Sequence, residues 1–138
     1  MGDMWRSGDV LREFRGDAHT ASWISAGFDA TEIGLLTELY WGLPLRSYIR
    51  TRAWSDDKLD AAEERLRSRG LVDDNGLTQQ GRTQREAVEV ATDRQCGPAV
   101  AALGDELPEL IAILEPWGAA VRDAGGYPPS GPHDLAPT

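Results

Sequence analysis

The sequence predicts an all-α domain that contains one small β-hairpin. Helix signals recur along the 138 residues, because apolar side chains repeat at spacings of three and four between helix-capping residues. The dipeptide Asn75-Gly76 lies between short apolar segments and is the strongest local signal for a tight hairpin turn. Hydrophobic residues make up 41% of the chain and charged residues 27%, which indicates a globular protein rather than a disordered chain.

Three helices are predicted in the first part of the chain. The first covers about 8–26, where apolar residues form one helical stripe. The second begins after Asp29, whose spacing to Glu32 is that of a capping box, and runs to about Trp41. A short third helix is expected at about 44–53, because a proline suits the first position of a helix.

The second part of the chain predicts a helix, a hairpin and further helices. Ser55 is a good N-cap for the helix before the hairpin, and Thr78 is one for the helix after it. Pro116 is expected to kink or split the last helix. These helices are expected at about 56–69, 79–95, 98–103 and 106–124.

The chain is expected to form a single folded domain at 8–126, since its length is typical of one domain. Residues 1–7 are expected to be a flexible N-terminus. The segment 127–138 contains four prolines and is predicted to be a disordered tail.

Charge and cysteine content exclude several classes of protein. The net charge of −9 argues against loose, field-driven binding to nucleic acid. A single cysteine excludes a disulfide framework and a thiolate-rich zinc site, and we expect neither a metal nor a cofactor. No segment has the apolar length of a signal core or a membrane span, so a cytoplasmic protein with no membrane partner is expected.

Two blocks of sequence carry a family resemblance. The first runs from Gly42-Leu43-Pro44-Leu45 to Arg69-Gly70-Leu71-Val72, and the second is Leu77-Thr78-Gln79-Gln80-Gly81-Arg82. The first resembles the second helix, the recognition helix and the approach to the wing of a winged helix-turn-helix. The second is similar to the Leu-Thr-x-x-Gly that leaves the wing.

The flanking helices resemble the MarR (multiple antibiotic resistance regulator) arrangement. That resemblance implies a winged helix-turn-helix domain over 8–126 and a homodimer built by the helices at 8–26 and 106–124. The stretch from Arg15-Gly16-Asp17-Ala18-His19 to about Gly126 also resembles the C-terminal half of an uncharacterised actinobacterial helix-turn-helix family. Its longer members have a helical N-terminal half. The expected setting is natural-product metabolism or resistance.

The surfaces with which this fold would read DNA are acidic. Winged-helix DNA binders present the first turns of the recognition helix to base edges and the wing to the backbone. Both surfaces favour basic or amide side chains, but the wing tip here is Asp73-Asp74-Asn75-Gly76. We therefore expect a degenerate DNA-reading surface. The exposed set predicted on the recognition helix is Asp56, Asp57, Lys58, Asp60, Glu63 and Glu64.

An alternative is a ligand-responsive transcription regulator that binds DNA as a homodimer. Residues 44–54 contain three arginines and no acid, so they could hold phosphates. Under this alternative the DNA-binding residues are Arg46, Arg50, Arg52, Asp57, Lys58 and Asn75.

The favoured hypothesis is the binding of a small planar or aromatic molecule in a cleft between helices. Arg15, His19 and Trp23 are four residues apart and share one face of the first helix, while Glu38 and Trp41 share a face of the second. With Tyr40 and Tyr48 these residues would line a small-molecule site. A second alternative is an enzyme with His19 and Glu38 as acid and base. The simpler interpretation is that the tryptophans are core or dimer contacts and His19 a surface or interface residue.

Overall fold

A computed structural model describes residues 2–126, and it is mainly helical with one small hairpin, as predicted. Strands β1 (Val72–Asp73) and β2 (Gly76–Leu77) pair antiparallel between the third and fourth α-helices. The α-helices are α1 (Gly2–Ser25), α2 (Ala30–Tyr40), α3 (Asp56–Ser68), α4 (Gln79–Leu103) and α5 (Leu107–Asp123), with 3₁₀ turns at Ile49–Arg52 and Gly104–Glu106. The chain divides into two compact units, one up to Cys96 and one from Gly97.

The core of the first unit lies between α2, α3, the hairpin and α4. Leu36 from α2 and Leu66 from α3 are fully buried, and Leu71 at the approach to the hairpin joins them. Val88 extends the same cluster onto α4. The capping box predicted at the start of α2 is confirmed, and it fixes where that helix begins against α3.

The second unit contains an amphipathic helix, α5, in which none of the described residues is buried. Its apolar residues follow each other at spacings of three and four, as in a helix that packs along one face. These residues are Leu107, Leu110, Leu114, Trp117 and Val121.

The segment expected to be a flexible N-terminus, 1–7, is helical from residue 2 onward. Helix α1 begins at Gly2, whereas the sequence predicts a start at about residue 8. The apolar residues Leu11 and Met4 extend the helical stripe toward the N-terminus, and no proline interrupts the segment. The expected tail at 127–138 lies outside the described residues.

The short helix expected at 44–53 is also wrong in most of its length. Only Ile49–Arg52 is helical, as a single 3₁₀ turn. Arg46 has a positive φ of 64°, which is incompatible with a right-handed helix at that position. The segment between α2 and α3 is therefore mainly a turn.

Two prolines do not end their helices. Helix α4 continues through Pro98, so the expected stop near residue 95 and the separate helix at 98–103 are wrong. Helix α5 likewise continues through Pro116 and is not split. A proline removes one helical hydrogen bond, and alanine-rich sequence after Pro98 favours continuation of the helix.

The hairpin turn differs in detail from the type that its sequence predicts. An Asn-Gly turn of the usual kind requires positive φ at both residues, but here only Gly76 has one, at 102°. The side chain of Asp73 accepts a hydrogen bond from the backbone N–H of Asn75 at 2.7 Å. This local bond replaces the expected conformation with an Asx turn.

Candidate functional site

The carboxylate of Glu38 is engaged by the turn that follows α2. Its side chain is fully buried on α2 and accepts hydrogen bonds from the backbone N–H groups of Arg46, Tyr48 and Ile49, the last two at 2.9 and 3.0 Å. The carboxylate thus holds the turn between α2 and α3 in place. Its hydrogen bonds are to that turn, whereas those of His19 are to α4, so the structure does not bring together the two residues expected to act as acid and base.

His19 has its partners on α4. Its Nδ1 lies 3.1 Å from the hydroxyl oxygen of Thr92, and 3.9 Å from a carboxylate oxygen of Glu89. The Thr92 hydroxyl already donates its only hydrogen to the carbonyl oxygen of Val88. His19 must therefore donate from Nδ1, which fixes the neutral tautomer with its proton on that nitrogen.

A buried arginine that the sequence analysis did not single out lies beside this histidine. Arg85 is 2% exposed, and its Nη1 lies 2.6 Å from Glu89, while its Nε donates to the hydroxyl of Thr37 on α2 at 3.3 Å. Arg15 contacts Glu89 from α1 at 3.2 Å. A polar cluster therefore joins α1, α2 and α4. Its position in the sequence could have indicated that Arg85 is buried, because residues 85, 88 and 92 share the buried face of α4.

Burial lowers the pKa of His19 below its ordinary value of about 6.5, with Glu89 opposing that shift. The unfolded chain therefore binds a proton at a higher pH than the folded chain does. We expect the free energy of unfolding to fall as the pH drops from about 7.5 to about 5.5, and to level off below the folded-state pKa. The variant His19→Gln keeps an N–H donor for Thr92 but cannot titrate. Urea unfolding across this interval is expected to show a smaller slope in the variant, and equal slopes would contradict the burial argument.

The other residues of the predicted cleft are only partly brought together. Trp23 packs against the core, and Trp41 is 54% exposed. Trp41 contacts Tyr40 edge to face at 5.9 Å, and the Tyr40 hydroxyl donates to Glu86, a bond that raises the pKa of Tyr40. Tyr48 instead accepts a hydrogen bond from an exposed arginine of the 3₁₀ turn. The structure therefore brings Tyr40 and Trp41 together, and the guanidinium of Arg85, 5.2 Å from the centre of the Tyr40 ring, links Tyr40 to the polar cluster around His19.

Acids on the outer face of α3 pair with an arginine before the helix and with one in its last turn. Arg46 contacts Asp60 at 2.6 Å and Glu63 at 2.9 Å, and these hydrogen bonds raise the pKa of Arg46. Arg67 lies 3.1 Å from Glu63 and 3.0 Å from Asp74 in the hairpin turn. These ion pairs link the turn, α3 and the hairpin. They engage Arg46 and Arg67, two of the basic residues of this face.

The 3₁₀ turn carries the remaining basic residues of this face. Arg50 and Arg52 are both exposed, and Arg52 donates to the hydroxyl of Tyr48 at 2.9 Å. Within the described part of the chain, neither forms an ion pair with a carboxylate. On α3 itself Asp56, Asp57 and Glu64 are exposed, while Asn75 lies exposed in the hairpin turn.

A groove of about 460 Å³ lies on the other flank of α3, beside the start of α2. Trp54 packs on the core at one side of it, and the ammonium of Lys58 lies 5.0 Å from the centre of the indole ring. Arg65 also lines the groove and contacts Glu32 at 3.1 Å. The groove therefore offers one flat aromatic side chain and the cation of Lys58, because Arg65 is also paired with Asp29. Its lining residues are Asp29, Ala30, Thr31, Trp54, Asp57, Lys58, Ala61 and Arg65.

Two further observations concern the described residues only. None of the helices in residues 2–126 combines the length and apolar character that crossing a bilayer requires. The same part of the chain contains no group of three or more His, Cys, Asp or Glu side chains placed to hold a metal ion.

Helix α2, the 3₁₀ turn at Ile49–Arg52 and α3, followed by a short hairpin, form a helix-turn-helix unit with a small wing. The chain belongs to a helix-turn-helix family, whose model matches residues 1–128. This membership suggests a domain of the DNA-binding regulator type. Searches among curated proteins and among solved structures found no match to the chain.

Proposed function

We propose that this chain is a MarR-like winged helix-turn-helix protein whose helix-turn-helix unit binds a small planar organic molecule and does not read DNA bases. The observation that carries the proposal is the acidic outer face of α3, where Arg46 and Arg67 are held by Asp60, Glu63 and Asp74. The actinobacterial relationship and a role in natural-product metabolism or resistance belong to the same proposal.

The charges on α3 oppose contact with a phosphate backbone. Like charges about 4 Å apart repel by about 1 kcal/mol in water, and carboxylates contribute no counterion release. Arg46 and Arg67 do not reverse this, since each would have to leave its carboxylate partners before binding phosphate. Binding to DNA through this face would therefore be weak.

The groove beside Trp54 has the features of a site for a planar ligand. Its volume of about 460 Å³ is within the range of small-molecule sites. An indole ring stacks on flat ligands, and the ammonium of Lys58 favours a carboxylate on the ligand. We infer that the ligand is a planar aromatic acid, which binds here rather than near His19.

The proposal is tested with 2-naphthoate as the probe for the groove and with a labelled random-sequence duplex as the probe for DNA. We expect the naphthoate to raise the melting temperature of the wild-type chain, and Trp54→Leu to weaken its binding at least about tenfold. Trp41→Leu is the matched control, because Trp41 is exposed and lies outside the groove. No stabilisation of the wild type by naphthoate, or equal loss in both variants, would contradict the proposed groove.

The second candidate function is a transcription regulator that binds DNA as a homodimer. Arg50 and Arg52 favour it, since both are exposed on the 3₁₀ turn without a carboxylate partner among the described residues. This candidate requires tight, salt-sensitive binding of the duplex at low salt, weakened by Arg50→Ala. Such a result would replace our proposal.

A further inference from the structure

Lys58 is the only lysine among the 138 residues, and its side chain lies across the indole ring of Trp54. The side chain is exposed in the first turn of α3 and lines the groove. Among residues 2–126 its ammonium forms no ion pair with a carboxylate. The contact with the indole ring is therefore the interaction that holds this side chain at the groove.

A ligand in the groove and the ammonium of Lys58 would use the same surface of Trp54. The indole is half-buried, packs against the core and lines the groove with its accessible part. A planar ligand that stacks on this accessible part must displace the ammonium, which lies 5.0 Å from the ring centre. A cation–π contact at an exposed site changes an equilibrium by about two- to fivefold, so the displacement weakens binding by that factor.

The charges that line the groove leave Lys58 as the cation available to a ligand. Arg65 is engaged by the carboxylates of Asp29 and Glu32. Asp57 also lines the groove and is exposed, and its negative charge opposes an anionic ligand. Without Lys58 the lining would therefore carry a net negative charge and would repel an acid.

We propose that Lys58 is the specificity-determining residue of this groove, and that it makes the groove select aromatic acids over uncharged molecules with the same rings. This inference rests on the function proposed above for the groove. A ligand carboxylate pairs with the displaced ammonium and so compensates for the lost contact with Trp54. An uncharged ring system must displace the same ammonium and gains no ion pair in return.

The test compares 2-naphthoate with 2-naphthamide, which have the same rings and nearly the same size but differ in charge. Chemical-shift titration of the ¹⁵N-labelled full chain measures both dissociation constants. We expect the wild type to bind the naphthoate about fivefold more tightly than the amide. In Lys58→Ala we expect the amide to bind about two- to fivefold more tightly than in the wild type, and the naphthoate about fivefold more weakly. The preference would then be reversed.

Two control variants separate the role of Lys58 from that of overall charge. Lys58→Arg keeps a cation beside the indole ring and is expected to retain the preference for the acid. Arg94→Ala removes one positive charge at an exposed position of α4 that does not line the groove. This variant is expected to show the wild-type preference, and a reversal in it would overturn the proposal in favour of an effect of net charge.

The outcomes also distinguish this proposal from the one on which it rests. If the naphthoate binds the wild type and Lys58→Ala keeps the same ratio of the two dissociation constants, Lys58 does not determine specificity although the groove binds the ligand. If neither probe binds the wild type or Lys58→Ala, the groove is not a ligand site and both proposals fail. Urea unfolding followed by circular dichroism reports whether each variant folds, which we expect because Lys58 is exposed.

The position of the ammonium is tested separately, because the chain has a single lysine. Reductive methylation with ¹³C-formaldehyde gives one side-chain methyl signal besides that of the N-terminal amine and preserves the positive charge. The ring current of Trp54 is expected to shift this signal upfield of its position in urea, and saturating 2-naphthoate is expected to move it. A signal at its urea position that the naphthoate does not move would overturn the proposal.

Discussion

Replacing Glu38 with alanine is expected to destabilise the first unit by about 3–5 kcal/mol. The carboxylate is fully buried and accepts from three backbone N–H groups, so alanine would leave those donors without a partner and open a cavity. Glu38→Gln is expected to cost less, about 1–3 kcal/mol, because one oxygen remains while the amide nitrogen faces a donor. Urea unfolding followed by circular dichroism measures both values.

Glu64→Ala is the matched control for this prediction. It makes the same substitution at an exposed position of α3, where we expect a change within about 0.5 kcal/mol. A Glu38→Ala variant with nearly wild-type stability would show that the turn between α2 and α3 does not depend on this carboxylate.

Features that depend on neighbouring residues could be predicted from the sequence. The motif Leu-Thr-x-x-Gly after the hairpin is one of them. The hydroxyl of Thr78 accepts the N–H of Gly81 at 3.0 Å, and a Cβ on Gly81 would lie 2.1 Å from the carbonyl oxygen of Leu71. Only glycine permits this approach of α4 to the hairpin, so the motif indicates the fold directly.

The partners of the candidate site residues could not be predicted in the same way. His19 contacts Thr92 and Glu89, which are about seventy residues away along the chain. Helical periodicity places His19 on a face, but it does not say which helix covers that face. Glu38 was misassigned for a related reason, because its partners are backbone N–H groups of a turn that was expected to be a helix.

The ion pairs on α3 show why charge counting alone gives an incomplete description of a DNA-reading surface. Counting predicted an acidic recognition helix and a basic segment before it as separate features. The structure joins them, because Arg46 contacts Asp60 and Glu63 directly. Arg46, one of the arginines that favoured DNA binding, is therefore paired with two of the acids that argued against it.

Neutralising two acids of this face is expected to create measurable DNA binding. The double variant Asp60→Asn, Glu63→Gln removes two negative charges and releases Arg46 from both carboxylates. It also removes the Glu63 contact of Arg67. We expect affinity for a random-sequence duplex at low salt to rise about 10–100-fold, with a steeper loss on addition of salt than in the wild type. Fluorescence anisotropy of a labelled duplex measures both effects.

The matched control changes net charge by the same amount away from α3. Asp105→Asn, Glu109→Gln also neutralises one aspartate and one glutamate, both exposed and in the second unit. If the gain comes from the freed arginines, the control should bind DNA little better than the wild type does. Equal gains in the two variants would instead assign the effect to overall charge. No gain in the α3 variant would mean that Asp60 and Glu63 do not block DNA binding, and that the face lacks contacts for a phosphate backbone.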